Sequence, residues 1–243
     1  MTPSRKSSSR FSHYELLEAC AQTGCPVCRV GAHSVKRYLK SVFYEYVNDV
    51  DTRARLNKRL GVCEEHVQLL LGTRIADTLG ASIIYENIVK ILLREFPSPS
   101  SSASPNPKES ARRISGFMNT AKNNGTCPAC RQRDAIITHT LQEMSAALGD
   151  EKLQAALQES DGLCFPHLSQ LLERLEKPED AAFLVELTRS KLIARQSEMA
   201  EVIRKNDYRS GSEKITREEA IAWKKIMCMV SGVGISPTGD KHD

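Results

Sequence analysis

Two short motifs, each present twice, constrain this chain more than any other feature of its sequence. C-P-x-C occurs at residues 25–28 and again at residues 127–130. Each copy is followed, after a gap of similar length, by a G-x-C-x-x-H motif, at residues 61–66 and 162–167. Repetition of a complete pattern at matched spacing indicates that one structural unit has been duplicated within the chain.

Cysteine and histidine at these spacings are typical ligands of a metal ion. In C-P-x-C the chain turns tightly, so that both sulfur atoms converge on one point, and the proline stiffens the turn. In C-x-x-H the two ligands lie three residues apart, on one face of a first helical turn. Three thiolates and one imidazole complete a tetrahedral shell with no position open for water or substrate. The predicted ligands are Cys25, Cys28, Cys63 and His66 in the first repeat, and Cys127, Cys130, Cys164 and His167 in the second.

The donor set predicts two zinc ions per chain, both in a structural role. An iron–sulfur cluster is the alternative, because Cys20 and the first C-P-x-C together follow a ferredoxin-like C-x₄-C-x₂-C spacing. The second repeat has Ala121 or Lys122 at the position aligned with Cys20. We therefore interpret Cys20 as a core residue on a helix face. Cys228, in an apolar run, is interpreted as a small buried hydrophobic residue.

Hydrophobic periodicity predicts an all-α fold. Apolar residues recur with a helical period over residues 35–47, and a weaker stripe of the same kind covers residues 137–148. Residues 75–95 and 179–205 are long runs compatible with helix, and no convincing strand alternation occurs. We therefore expect two tandem helical modules, each closed by its own Cys₃His site and related by approximate two-fold symmetry.

Composition indicates where the modules begin and end. Serine and proline crowd the stretch between the two repeats, which is typical of a flexible linker. Both ends of the chain lack the apolar residues that would anchor them to a core. The predicted order is a disordered basic segment at 1–11, a first metal-binding module at 12–96, a linker at 97–110, a second metal-binding module at 111–208, a helical extension at 209–231 and a disordered tail at 232–243.

Charge and motif content narrow the class of protein. The formal net charge is +4 and charged residues make up 26% of the chain, which is too mild to predict a nucleic-acid-binding protein. No apolar run is long enough to span a membrane, and no secretory signal is recognisable. Eight cysteines, six of them predicted metal ligands rather than halves of disulfides, favour the cytoplasm. An enzyme is the least favoured class, because neither predicted metal site leaves a group free to activate a substrate. The sequence also contains no P-loop or nucleophile-elbow motif.

Three functions remain open from the sequence. The first is a non-enzymatic helical protein with structural zinc that acts through contacts with a protein partner. The second is an iron–sulfur protein for electron transfer or redox sensing. The third is a nucleic-acid-binding zinc protein that uses the basic run RARLNKR at residues 53–59, although such a run more commonly forms a solvated helix face.

The repeated C-P-x-C and G-x-C-x-x-H motifs, with YEYVND at residues 44–49 and IIYEN at residues 83–87, resemble a bacterial family known only as a domain of unknown function. The resemblance covers residues 12 to about 205 and includes all eight predicted ligands. It implies a prokaryotic cytosolic origin and brings no activity with it. The extension at residues 213–230 is expected to lie outside the family.

Overall fold

A computed structural model describes residues 14–96, 106–207 and 213–232 of the chain. The regular structure in these ranges is helical and includes no β-strand, which confirms the all-α prediction. None of the described helices has the length and apolar character needed to cross a lipid bilayer. In chain order the helices are α1 (14–20), α2 (Pro26–Tyr44), α3 (Val50–Arg59), α4 (Glu64–Gly72), α5 (Thr78–Glu95), α6 (Pro107–Asn123), α7 (Pro128–Ala147), α8 (Glu151–Glu159), α9 (Phe165–Leu172), α10 (Pro178–Lys205) and α11 (Arg217–Ser231).

The helix order repeats, as the duplicated motifs predict. Helices α2 to α5 of the first repeat correspond to α7 to α10 of the second. The same cap begins the second helix of each series: the Asp49 carboxylate accepts from the Thr52 amide at 2.7 Å, and the Asp150 carboxylate accepts from the Lys152 amide at 3.0 Å. An aspartate at this position satisfies a backbone donor that the helix leaves unpaired. The duplication therefore extends to details of local structure.

The described residues form two compact units that do not coincide with the repeats. Unit 1 comprises residues 14–32 and the described residues from 135 onward, and unit 2 comprises residues 33–134. The boundaries fall inside α2 and α7, so each unit contains the beginning of one long helix and the end of the other. The predicted modules at 12–96 and 111–208 are thus not the units in which the chain packs.

Helix lengths give the physical reason for this difference. Helix α2 has 19 residues, whereas α3, which follows it after a short turn, has 10. At a rise of 1.5 Å per residue, α2 extends about 28 Å and α3 only about 15 Å. A hairpin with arms this unequal does not return the chain to its starting point. The second half of a repeat therefore packs in a different unit from its first half.

The core of unit 1 is built around the last turns of α7. Leu141, Met144 and Leu148 are completely buried, so the weaker of the two predicted apolar stripes faces the core as expected. Cys20 from α1 is 3% exposed and joins the same cluster. Burial raises the pKa of its thiol to about 12, and the negative charge of Cys25 adds to the effect. The interpretation of Cys20 as a core residue is confirmed.

The core of unit 2 is built around the second half of α2. Of the apolar residues predicted between 35 and 47, Tyr38 is half-buried, Tyr46 is exposed and the others are buried. Tyr46 is 51% exposed, because α2 ends at Tyr44 and the helical period no longer applies beyond it. The buried members of this cluster include Val35, Leu39, Val42, Phe43, Val47, Leu56, Ile84 and Ile88.

The predicted linker at 97–110 is partly helical. Helix α6 begins at Pro107, and the Asn106 side chain caps it by accepting from the amides of Lys108 and Glu109. Proline is favoured in this first turn, where its missing N–H costs nothing. The last four linker residues are therefore helix. The predicted segment at 1–11, residues 97–105 and the tail beyond Gly232 lie outside the described residues.

Replacing Gly80 by alanine should destabilise unit 2. A Cβ at Gly80 would lie 1.9 Å from the backbone carbonyl oxygen of Phe43, so α5 approaches the end of α2 more closely than a side chain allows. We expect Gly80→Ala to lower the free energy of unfolding by about 1–3 kcal/mol, measured by chemical denaturation.

Gly116→Ala is the matched control for this change. Gly116 also lies within a helix but has no atom within 4 Å of its Cβ position, so the added methyl should stabilise by about 0.5–1 kcal/mol. Equal stabilisation by both substitutions would contradict the close approach of α5 and α2.

Candidate metal centres

The structure brings the eight predicted ligands together in two groups of four, but in a crossed arrangement. In each group the four ligand atoms all lie within 4.8 Å of one another. Each group takes its C-P-x-C from one repeat and its C-x-x-H from the other, which corrects the prediction that each repeat closes its own site. Site 1 consists of Cys25, Cys28, Cys164 and His167, and site 2 of Cys63, His66, Cys127 and Cys130.

The distances in site 1 match those of a tetrahedral ion. Around a zinc ion with metal–sulfur bonds of about 2.3 Å and a metal–nitrogen bond of about 2.0 Å, neighbouring sulfur atoms lie about 3.8 Å apart and sulfur lies about 3.5 Å from nitrogen. The Cys28 and Cys164 sulfurs are 3.7 Å apart. His167 Nδ1 lies 3.6 Å from Cys25 Sγ, 3.3 Å from Cys28 Sγ and 3.2 Å from Cys164 Sγ.

Site 2 has the same geometry with slightly more spread. The Cys63 and Cys130 sulfurs are 3.6 Å apart. His66 Nδ1 lies 3.0 Å from Cys63 Sγ, 3.6 Å from Cys130 Sγ and 3.8 Å from Cys127 Sγ. Both sites therefore present three sulfurs and the Nδ1 atom of one histidine to a single point.

Local backbone conformation sets up each half of a site. Glycines with positive φ, which side chains disfavour, stand one or two residues before the first cysteine of each motif: Gly24 at +94°, Gly61 at +106°, Gly125 at +92° and Gly162 at +87°. They turn the chain sharply into the helix that follows.

The C-x-x-H cysteines occupy the N-cap positions of α4 and α9 without capping them. Neither Cys63 nor Cys164 forms a side-chain cap hydrogen bond, which leaves both thiols for the site. The Cys63 amide donates to Cys127 Sγ at 3.4 Å, across the two halves of site 2. This amide donor favours the thiolate form of Cys127 over its thiol form.

Charges within site 2 favour a thiolate–imidazolium pair. Burial raises the pKa of the Cys127 thiol, but hydrogen bonds from His66 and from backbone amides outweigh it and lower that pKa to about 6. Burial lowers the pKa of His66, but the neighbouring thiols Cys127 and Cys63 raise it to about 9. The pKa of Cys130 is raised to about 12, first by burial and then by the adjacent thiols.

Site 1 repeats this pattern. Hydrogen bonds from Cys164, Cys28 and His167 overcome the effect of burial and lower the pKa of Cys25 well below its usual range. His167 has a pKa of about 9, because the hydrogen bonds and negative charges of Cys164 and Cys25 overcome burial. A metal ion would displace the imidazolium proton and the remaining thiol protons, so metal affinity decreases as the pH falls.

An aspartate that the sequence analysis missed anchors site 1. Asp161 accepts from the Gly24 amide at 2.8 Å, from Lys225 of α11 at 2.7 Å and from Arg195 of α10 at 3.2 Å. Burial raises the pKa of its carboxyl, but these partners outweigh burial and lower the pKa below its ordinary value. The corresponding residue in the first repeat is Leu60. This difference between the two repeats was the feature of the sequence that could have pointed to Asp161.

Helix α11 covers site 1. The Cys28 thiol donates to the Gly232 carbonyl at the end of α11, at 3.6 Å. The Gly232 backbone lies so close to Pro166 of α9 that a Cβ would come within 2.8 Å of its ring. Cys228 and Met229 line a small cavity together with Cys25 and Cys164. Cys228 is half-buried beside site 1, rather than fully buried as predicted.

Site 2 is supported differently. Arg59 at the end of α3 donates to the carbonyls of Lys122 and Gly125, in the turn that leads into the second C-P-x-C. Asn124 from the same turn donates to the Lys58 carbonyl at 3.1 Å. These contacts hold the turn with backbone carbonyls, whereas site 1 uses the half-buried carboxylate of Asp161.

Comparison with known proteins places this architecture in a family. Residues 14–226 match the model of a family of unknown function (DUF6062). The chain belongs to this family. The match extends beyond the expected limit near residue 205 and includes most of α11 up to Ile226, so the expectation that residues 213–230 lie outside the family is corrected. Lys225, which contacts Asp161, lies within the matched region.

A bacterial relative shows the same extent of similarity. The uncharacterized 23.9 kDa protein in the xynA 3' region of Caldicellulosiruptor sp. (strain Rt8B.4) is 24% identical over 220 residues. The alignment covers 89% of this chain and 99% of the relative. No solved structure matches the chain.

Proposed function

We propose that this protein holds two zinc ions in closed Cys₃His sites and acts, without catalysis, through contacts with a protein partner. The observation that carries the proposal is the convergence of three sulfurs and one nitrogen within 4.8 Å, twice, in separate parts of the chain. With all four coordination positions taken by protein, the ion has none left for a substrate. A structural role follows from that closed shell.

The compactness of both sites supports a single ion over an iron–sulfur cluster. In a cluster the cysteines bind different iron atoms, so their sulfurs are spread around a polynuclear core. Here the sulfur pairs Cys28–Cys164 and Cys63–Cys130 are 3.7 and 3.6 Å apart, which matches two ligands of one ion. Cys20, which the ferredoxin-like spacing would require, packs in the core of unit 1 and belongs to neither site.

Sequence separation supports a stabilising role for the metal. Site 1 joins Cys28 to Cys164, 136 residues apart, and site 2 joins Cys63 to Cys127, 64 residues apart. Closing loops of this length costs conformational entropy that a strongly bound ion offsets. Structural zinc contributes roughly 10–16 kcal/mol of binding free energy in small domains, and this becomes folding free energy.

An exposed apolar stripe on α11 supports contact with a protein partner. Trp223, Met227 and Val230 are 50%, 60% and 55% exposed and lie at i, i+4 and i+7 on one helix face. Contiguous exposed apolar side chains of this kind are typical of protein interaction sites. All eight cysteines are unpaired, and free thiols persist in reducing compartments, so the cytoplasm is the proposed location.

Metal content tests the proposal directly. Protein purified without oxygen should contain two zinc ions per chain, show no visible colour and lose helical circular dichroism when a strong chelator removes the metal. Restoring zinc should restore the helical signal. Brown protein with iron and sulfide would instead establish the iron–sulfur alternative, and a chain that keeps its fold after complete chelation would refute the structural role.

A further inference from the structure

The positive charge of the chain is concentrated in unit 2. Residues 33–134 contain sixteen lysines and arginines against ten aspartates and glutamates. The remainder of the chain contains eighteen basic and twenty acidic residues. The net charge of +4 therefore arises entirely from unit 2. The grouping of residues into units, rather than into sequence repeats, reveals this separation.

Helix α6 carries much of this charge on one outward stripe. Its packed side is formed by Ser110, Ile114, Phe117 and Ala121, at i, i+4, i+7 and i+11, which are buried or half-buried. The opposite stripe is exposed throughout and contains neither an acidic nor an apolar residue. It consists of Lys108, Arg112, Ser115, Asn119 and Lys122. Every side chain on this stripe can donate a hydrogen bond.

Helix α3 packs against α6 and carries two further exposed cations, Arg55 and Lys58. Arg59 binds the turn after α6, and Asn124 of that turn binds the Lys58 carbonyl, so the ends of the two helices are joined. Burial raises the pKa of the Tyr38 hydroxyl. The nearby cations Arg55 of α3 and Arg131 at the start of α7 offset part of this increase.

We use the term basic face for Arg55, Lys58, Lys108, Arg112 and Lys122. Their side chains form no ion pair with any other residue in the described part of the chain. Unpaired cations on neighbouring helices repel one another, and an anionic ligand would relieve that repulsion.

We propose that the basic face binds double-stranded DNA, with α6 in the major groove and α3 along the adjacent phosphates. The major groove of B-form DNA is about 12 Å wide and admits an α-helix. From Lys108 to Lys122 the outward stripe of α6 extends about 21 Å. Arginine, lysine, serine and asparagine contact phosphate oxygens and base edges, and these four residue types compose the stripe.

The same surface fits other anionic macromolecules less well. Single-stranded nucleic acid is bound largely by stacking on exposed aromatic rings, and Phe117, the one aromatic residue of α3 and α6, lies on the packed side of α6. Double-stranded RNA has a major groove too narrow for a helix. A protein interface has an apolar centre, which the outward stripe lacks.

Fluorescence anisotropy with the full zinc-loaded chain and a labelled 25-base-pair DNA duplex tests this proposal. Affinity should be micromolar at low salt and fall steeply between about 50 and 200 mM salt, as expected for several phosphate contacts. The variant Lys108→Gln/Arg112→Gln/Lys122→Gln should bind at least tenfold more weakly at low salt. Its log–log salt slope should be smaller by about 2–3, because each lost phosphate contact removes about 0.9.

A charge-matched variant provides the control. Lys152→Gln/Lys177→Gln/Arg189→Gln removes three exposed positive charges from unit 1 and should leave the affinity unchanged within about twofold, as expected when phosphate contacts are unaffected. Arg112→Gln alone should produce an intermediate loss if the triple variant proves unstable. Equal weakening by both triple variants, no salt-dependent binding, tighter binding to single strands or duplex RNA, or displacement by polyglutamate at the same charge concentration would overturn the proposal.

This inference is independent of the proposed protein contacts of α11. Metal content and helical circular dichroism of each variant, measured alongside binding, separate a failed DNA surface from a failed zinc site. A triple variant that keeps two zinc ions and its helical signal but no longer binds DNA supports the inference, whatever the partner of α11.

Discussion

The double variant Cys25→Ser/Cys164→Ser should retain one zinc ion per chain, whereas Cys25→Ser/Cys63→Ser should retain none. In the structure Cys25 and Cys164 belong to one site, so removing both sulfurs destroys only site 1. Cys25 and Cys63 belong to different sites, so their combined removal destroys both. Zinc per chain, measured by elemental analysis of the desalted protein, distinguishes these outcomes.

This pair of variants separates the crossed arrangement from one in which each repeat closes its own site. If each repeat held its own metal, Cys25→Ser/Cys63→Ser would retain one zinc and Cys25→Ser/Cys164→Ser none, the reverse of our expectation. Cys20→Ser is the control, because Cys20 is a buried cysteine outside both sites and its substitution should leave two zinc ions bound.

Loss of either ion should also unfold the unit that contains it. A structural zinc site supplies roughly 10 kcal/mol or more of apparent stability, compared with the 5–15 kcal/mol that stabilises a typical domain. We therefore expect Cys25→Ser/Cys164→Ser to lose much of the protection of unit 1 in hydrogen exchange, while unit 2 keeps its own. Uniform loss of protection in both units would contradict this expectation.

Removal of α11 should make site 1 release its metal at least ten times faster to a chromophoric chelator. Helix α11 contributes the Lys225 side chain that holds Asp161, and Cys228 and Met229, which line the cavity beside site 1. Loss of residues that contact the metal ligands without binding the metal themselves typically reduces metal affinity by about 10–100-fold. In the intact chain we expect two phases of release, fast from site 2 and slow from site 1. A chain that ends at Lys214 should show only fast release.

Asp161→Asn tests, without removal of a helix, whether the slow phase of metal release comes from site 1. Asparagine keeps the size of the side chain but loses the charge that pairs with Lys225 and Arg195, both of which are largely shielded from solvent. It should accelerate only the slow phase. Glu186→Gln on the exposed face of α10 is the matched control and should alter neither phase. A single release rate in the intact chain would show that α11 does not protect site 1.

The two sites thus share a ligand set but differ in their surroundings. Site 1 has a half-buried carboxylate and a covering helix, whereas site 2 is held by an arginine and an asparagine that bind backbone carbonyls. Duplication gives both repeats the same ligands. Differences at corresponding positions, such as Leu60 in the first repeat and Asp161 in the second, then give the two sites different surroundings. Two of the four ligands of site 2 are half-buried, compared with one in site 1. Site 2 is therefore the one we expect to exchange its metal first.

The sequence by itself determined the helices and the identities of the candidate ligands. Both depend on local properties: helical periodicity placed the buried residues of α2 and α7, and spacings of three residues placed each pair of ligands on one turn. The same local reasoning identified Cys20 as a core residue, since its repeat partner is not a cysteine.

Only the tertiary structure decided which half-sites meet. Sequence order suggested that Cys28 would find Cys63, but the unequal lengths of α2 and α3 separate them and bring Cys28 to Cys164 instead. The partners of Asp161 and the charge of unit 2 escaped the sequence analysis for the same reason. They depend on residues that are distant along the chain, and the path of the long helices, rather than any local pattern, determines which of those residues become neighbours.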